Sequence, residues 1–260
     1  MDALYDSIGV GYDTTRRPDP RIAARLRHHL APKADERYLD LACGTGNYTA
    51  MLSQKGIALV GLDRAASMLQ AARAKAPQVP WCQGDALALP FADDAFQGAV
   101  CSLAIHHFPD KAAAFAEVRR VLVRGRFVIF TATPEQESGY WLNHYFPEMI
   151  ARSGRIMPSL ATLRGDLAAA GFRFLAYEPW DVPPDPVDLM LYAGKHRPAL
   201  YLDAEFRRGT SGFAKFCEPG ELRDGLQHLE ADIASGRIDE VVAGYAHNRG
   251  DYGFAVAECG

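Results

Sequence analysis

The chain reads as an α/β protein built on a parallel, doubly wound sheet, and three observations lead there. Apolar strand patterns alternate with helical ones over residues 37–131, the βαβ rhythm of a sheet covered by helices on both faces. Residues 38–49, YLDLACGTGNYT, join a short apolar strand to a helix through Gly44-Thr45-Gly46. Only residues without a Cβ let a strand-to-helix turn come this close to a ligand. Finally, 260 residues with 48% hydrophobic content can bury one large core, so one domain carrying an insertion is expected rather than two independent ones.

Taken in order, RYLDL is the first strand, followed by a helix over 46–54, the strand ALVGL, a helix over 65–75 and the strand VPWCQ. QGAVCS, a helix over 110–122 and RFVIFT complete the regular part, while FRFLAYE (172–178) and DYGFAVAE (251–258) read as sixth and seventh strands. About 70 residues lie between these last two, too many for loop alone. They include the Pro-rich DVPPDPVD and amphipathic stretches near 186–196 and 219–234. With a helix near 139–152, they are expected to form a helical lid, residues 139–171 and 184–248, over an acceptor pocket. A doubly wound sheet binds its ligand outside the C-terminal strand ends, at the switch point beside the first strand. Asp40, Gly44, Asp63, Asp85 and Ser102 should converge there.

A dinucleotide turn looks similar, but its fingerprint G-x-G-x-x-G needs a third glycine, and here that position holds Thr49. Asp40 ends the first strand as an anion that would repel a pyrophosphate and suits a ligand carrying positive charge. Asp63, at the end of the second strand, has the spacing of a carboxylate that accepts both ribose hydroxyls, which both readings share. Asp85, after the third strand pattern, is placed to accept from an adenine amino group.

Four strand ends in succession, D-x-x-x-G-x-G, then D, then G-D-A, then S-L-A-I-H-H-F, resemble the class I S-adenosylmethionine-dependent methyltransferases. The resemblance is to the broad methyltransferase type 11 group that includes ubiquinone and menaquinone biosynthesis enzymes, and it covers residues 5–131. RPALYLDAEFRRGTSGFA (197–214) is similar to a small-molecule subset of these enzymes. The resemblance implies a Rossmann-like sheet of seven strands with the last antiparallel, S-adenosylmethionine as cofactor, S-adenosylhomocysteine as product, no metal, and a small-molecule methyl acceptor. It also implies that residues 1–30 cover the cofactor, with Tyr12 against the sulfonium and Arg16 paired with the carboxylate. The cofactor set is then Tyr12, Arg16, Asp40, Ala42, Gly44, Gly46, Asp63, Arg64, Met68, Asp85, Ala86, Ser102 and Leu103.

His106 and His107 follow the fourth strand, where a general base could meet the acceptor; shaping the loop is the competing role. Tyr5, Trp141, Tyr145, Arg207 and Ser211 are candidates to line the acceptor pocket, against core packing for the aromatics and a cap or ion pair for the other two. Two other functions stay open: a noncatalytic S-adenosylmethionine-binding module and a nicotinamide-dependent oxidoreductase.

The net charge of −4 argues against a nucleic-acid partner, which needs clustered Lys and Arg. Cys43, Cys82, Cys101, Cys217 and Cys259 show no C-x-x-C pair and fit a reducing compartment. No apolar run approaches the roughly 20 residues of a membrane span. Asp2 and Asp6 stand where a signal peptide would be basic and then apolar, so the cytoplasm is expected. Oligomeric state is not legible.

Overall fold

The computed structural model describes residues 12–260; Tyr5 lies outside them, and of Tyr12 only the backbone is described. The order of elements is α1 (Tyr12–Thr15), α2 (Pro20–Leu30), β1 (Arg37–Leu41), α3 (Asn47–Ser53), β2 (Ala58–Asp63), α4 (Ala66–Lys75), β3 (Trp81–Gln83), β4 (Phe96–Ser102), α5 (Lys111–Val121) and β5 (Leu122–Thr131). Then come α6 (Pro134–Ser138), α7 (Pro147–Gly154), α8 (Leu160–Ala169), β6 (Arg173–Trp180), α9 (Ala204–Arg208), α10 (Ser211–Phe216), α11 (Pro219–Ser235), α12 (Ile238–Gly244) and β7 (Tyr252–Cys259). Helix starts follow local chemistry. Asp19, Asp110 and Ser159 each accept a hydrogen bond from the first turn of α2, α5 and α8, and Thr133 and Gln136 form a reciprocal cap on α6.

All seven strands form one sheet in the order β3-β2-β1-β4-β5-β7-β6. β1 to β5 pair in parallel and β7 runs antiparallel between β5 and β6, as the resemblance implied. The strand order reverses between β1 and β4, which is the switch point where such sheets bind ligands. β7 is buried along almost its whole length, consistent with its unbroken apolar run.

Two cores flank the sheet. On one face α5 and α8 pack with Phe127 and Phe172; on the other, α2 and α3 share a core with α7, α11, α12 and the segment around Tyr192. Of the segment 139–171 expected to contribute to a lid, the part through Gly154 joins this second core. α8 differs: Leu163 and Leu167 insert beside Phe115 and Phe127 on the opposite face. The helix expected over 139–152 is split into a 3-10 turn, Trp141–His144, and α7, because Pro147 keeps Phe146 out of helical geometry. Residues 186–196 contain only a 3-10 turn, Leu191–Gly194, after the prolines at 183, 184 and 186; 219–234 is helical as expected.

Candidate active site

The glycine turn owes its shape to two separate demands. Gly46 sits at φ +72°, and a Cβ there would lie 2.3 Å from the Trp81 ring. Gly44 is also left-handed, at φ +56°, but a Cβ there would meet nothing within 4 Å. Packing therefore requires Gly46, whereas the space before Gly44 is open. Ala42 and Leu103 adopt φ of 54° and 52° without being glycine, at the ends of β1 and β4. Backbone strain of this kind gathers at functional sites.

That open space belongs to a cavity of about 740 Å³ running under the ends of β1, β2, β3 and β4. Arg16, Asp40, Ala42, Gly44, Asp63, Arg64, Met68, Asp85, Ala86, Ser102, Leu103 and His107 line it. Twelve residues proposed from sequence are thus brought together. Gly46 is not at its wall, consistent with its role under Trp81.

The two acids at the first strand ends are held by the turn. Asp63 accepts from the Gly44 and Ala65 amides at 2.8 and 2.9 Å, and burial pushes its carboxyl up. Thr49, at the position of the missing third glycine, donates to Asp40 at 2.5 Å. Burial raises Asp40 to about 7, against that hydrogen bond and with Asp63 adding to it. Asp85 accepts from the Leu87 amide at 2.9 Å. The Ser102 hydroxyl is buried with no partner among the described residues.

Residues far apart in sequence close one side of this cavity. Arg16 donates to Asp188 at 2.6 Å, and the Tyr48 hydroxyl donates to the same carboxylate at 3.0 Å. Thr45 and Asn47 donate to Asp13 at 2.7 and 3.1 Å, and Asn47 also reaches the Arg16 carbonyl. α1 and the start of the insertion therefore strap the glycine turn. A Cβ at Gly209 would lie 2.3 Å from the Thr15 hydroxyl, so α9 also ends against the strap. Arg16, expected to face a ligand carboxylate, has Asp188 as its neighbour in the structure.

A second, smaller cavity of about 80 Å³ adjoins the first, sharing Arg16, Leu103 and His107. His106, Glu137, Ser153, Met190, Tyr192, Ser211 and Tyr252 are among its other walls. Burial lowers His107 to about 4, with Lys215 and Lys111 adding to the effect. His106 falls well below its ordinary value for the same first reason. Both imidazoles are therefore neutral at pH 7 and weak proton acceptors.

Ser211 reaches this cavity; Trp141, Tyr145 and Arg207 line neither. Trp141 and Tyr145 are 3% and 4% exposed inside the second core, with Trp141 donating to the Lys195 carbonyl and Tyr145 to Asp232. Arg207 donates to the Tyr201 carbonyl at 2.5 Å. Sequence reasoning missed Tyr48, Asp188 and Glu137. Asp188 lay in a Pro-rich run and Glu137 in a short polar helix, neither of which carries a periodic signal. No group of His, Cys, Asp and Glu among the described residues is arranged to hold a metal ion.

With this geometry in place, comparison with known proteins is informative. The family described as a methyltransferase domain matches residues 39–130, the segment from β1 to β5. A demethylmenaquinone methyltransferase of Thermus thermophilus is 33% identical over 204 residues, covering 73% of this chain and 88% of the relative. Another, from Corynebacterium kroppenstedtii, is 39% identical over 127 residues, and there the chain spans about half of the relative, 55%. A solved structure from Anabaena variabilis, described as a candidate methyltransferase of an antibiotic biosynthesis pathway, superimposes with a TM-score of 0.83 at 31% identity, covering 93% of this chain and 98% of that one. Strand ends, cavity and relatives agree, and the chain belongs to the class I S-adenosylmethionine-dependent methyltransferases.

Proposed function

We propose that the larger cavity holds S-adenosylmethionine and that the smaller one receives the methyl acceptor. The observation carrying this reading is the adjacency of the two: a large cavity with its polar groups at four consecutive strand ends shares Arg16, Leu103 and His107 as walls with a small one. Asp63 would accept the ribose hydroxyls, and Asp85, Ala86 and Met68 would surround the adenine. Ala42, Gly44 and Asp40 would face the methionine portion, for which the unpartnered Ser102 hydroxyl is a ready polar contact. The open approach to Gly44 fits a ligand pressed against backbone.

When bound, S-adenosylmethionine supplies an electrophilic methyl group, so the chemical activation is the cofactor's own. The protein contributes alignment of acceptor and methyl carbon and exclusion of water. Residues 141–154 and 191–244 would then act as the lid. The smaller cavity, at about 80 Å³, is below the roughly 150 Å³ that accommodates a benzene ring, so an aromatic acceptor enters only if part of this cover moves. The relatives named for demethylmenaquinone make a quinone-type ring one candidate acceptor. Calorimetric titration tests the cofactor assignment: S-adenosylmethionine or S-adenosylhomocysteine should bind saturably and NAD should not. Formation of S-adenosylhomocysteine with a panel of small acceptors tests the activity, and saturable dinucleotide binding would overturn the reading.

A further inference from the structure

The smaller cavity contains a carboxyl group that none of the strand-end motifs includes. Glu137, in α6 just past β5, is 2% exposed. Its Oε1 accepts from the Ser153 hydroxyl at 3.1 Å, while Oε2 is buried with no hydrogen-bond partner among the described residues. The Tyr192 hydroxyl stands beside it, near enough to favour the charged carboxylate, but neither it nor Oε2 has a partner of full hydrogen-bonding geometry among the described residues. Glu137, Ser153 and Tyr192 all line the cavity. A buried oxygen left without a donor at the wall of a cavity is matched to a ligand that brings one.

We propose, building on the methyl-transfer reading above, that Glu137 accepts the proton of a hydroxyl-bearing acceptor, a phenol or hydroquinone that occupies the smaller cavity as its cover moves aside, with its O–H directed at Oε2. The acceptor O–H bond breaks and its proton passes to the carboxylate. The electron pair left on oxygen forms the bond to the methyl carbon, and the pair of the sulfur–methyl bond returns to sulfur. One cationic sulfonium, one carboxylate and one neutral hydroxyl compound become a neutral thioether, a neutral carboxylic acid and a methyl ether. The proton then leaves to solvent.

The neighbouring groups favour this assignment. Burial pushes Glu137 up to about 7, against the hydrogen bond from Ser153 and the neighbouring Tyr192 hydroxyl, which suits proton transfer near neutrality. The other ionisable groups at the cavity are Arg16, His106, His107, Tyr192 and Tyr252, and His247 and Arg249 approach Gly139 nearby. Both cavity histidines titrate well below neutrality and both tyrosines well above 10. Among the groups lining this cavity, the carboxyl is the one whose charge changes near pH 7.

The test compares the whole wild-type chain with E137Q on a panel of phenols and hydroquinones, with S-adenosylhomocysteine binding followed in parallel. E137Q should bind S-adenosylhomocysteine as wild type does and lose about a hundredfold or more in kcat. Difference infrared spectra of wild type against E137Q should show a protonated-carboxyl band that disappears near pH 7, and phenol added with S-adenosylhomocysteine should shift it. If E137Q does not fold, the wild-type pH profile carries the test. The rate should rise through a limb near 7, and S153A, lacking the hydrogen bond that favours the carboxylate, should move that limb to higher pH. Equal rates in E137Q, a band indifferent to phenol, an S153A limb left in place, or a panel untouched by protein that binds S-adenosylhomocysteine would each overturn the inference. Loss of S-adenosylhomocysteine binding by wild type would instead count against the cofactor reading.

Discussion

Gly44 and Gly46 are two positions apart in one turn, yet replacing them with alanine should have different consequences. At Gly46 the new Cβ would meet the Trp81 ring at 2.3 Å, so Gly46→Ala should destabilise the fold by about 2–4 kcal/mol, combining overpacking with left-handed strain. Gly44→Ala meets no atom and should cost only the strain, about 1–2 kcal/mol, while weakening cofactor binding more strongly. Denaturant midpoints and calorimetry on the two variants would separate the effects. Asp40 gives a second expectation. Its folded-state carboxyl titrates near 7 rather than at its ordinary 3.8 because of burial, so between those values the native state keeps a proton that the unfolded chain has released. Stability should therefore fall as pH rises through that window and level off above it, by about 2–3 kcal/mol from this residue between pH 5 and 8. Glu137, pushed from 4.5 to about 7, adds to the trend with the same sign. Asp40→Asn should flatten the slope, and an identical slope in both proteins would remove Asp40 as its cause. Asp63→Ala, removing the proposed ribose acceptor and the anchor of the Gly44 amide, should weaken cofactor affinity roughly ten- to a hundredfold.

Among the elements, the strap joins α1 to the insertion before β7. α1 and the residues after it are tied to the insertion by Arg16 and Asp188 and by the Leu189 amide on the Thr15 carbonyl at 3.1 Å. The insertion is in turn fixed to the sheet, where Asp251, before β7, accepts from Lys195 at 2.8 Å and from the Val182 amide at 2.7 Å. Asp188 is 2% exposed, so Asp188→Ala should cost about 3 kcal/mol, the scale for breaking a buried pair by removing one partner. It should also raise amide exchange over residues 13–21 and 185–190; unchanged exchange there would mean that the strap is held by other contacts. The sequence led to an expected cover over the pocket, since so long a stretch before β7 needed a packing partner. It did not show which parts do so. α8 lies in the same stretch, 139–171, that was expected to contribute to the lid, but it packs on the other face of the sheet, because Leu163 and Leu167 meet Phe115, Phe127 and Phe172 there.

For the molecule as a whole, an aromatic seam runs from the sheet into its cover. Phe130 stacks on Phe254 and meets Tyr252, Tyr252 meets Tyr192, Tyr192 meets Tyr140, and Trp141 and Tyr201 continue the contact. This continuity makes Trp141 and Tyr145 core residues; Phe206 of α9 and Phe213 of α10 pack on it at Tyr201, while Gly209, Thr210, Ser211, Gly212 and Lys215 between and beside them face the cavities. Hydrogen exchange with S-adenosylhomocysteine should accordingly add protection at residues 40–46, 13–21 and 204–216, with little change in 141–146. Added protection confined to 40–46 would argue against a closing cover. The strand-end residues Asp40, Gly44, Asp63, Asp85 and Ser102 were readable in the linear chain. A parallel doubly wound sheet brings the C-terminal ends of its strands to one edge, and short-range patterns of apolar residues, glycine and acid are enough to place each of them. Asp188 beside Arg16, 172 residues away, and Glu137 beside Ser153 and Tyr192 had no such marker. Their positions depend on how an insertion without periodic repeat settles onto the sheet, and that is governed by the fit of side chains distant in sequence.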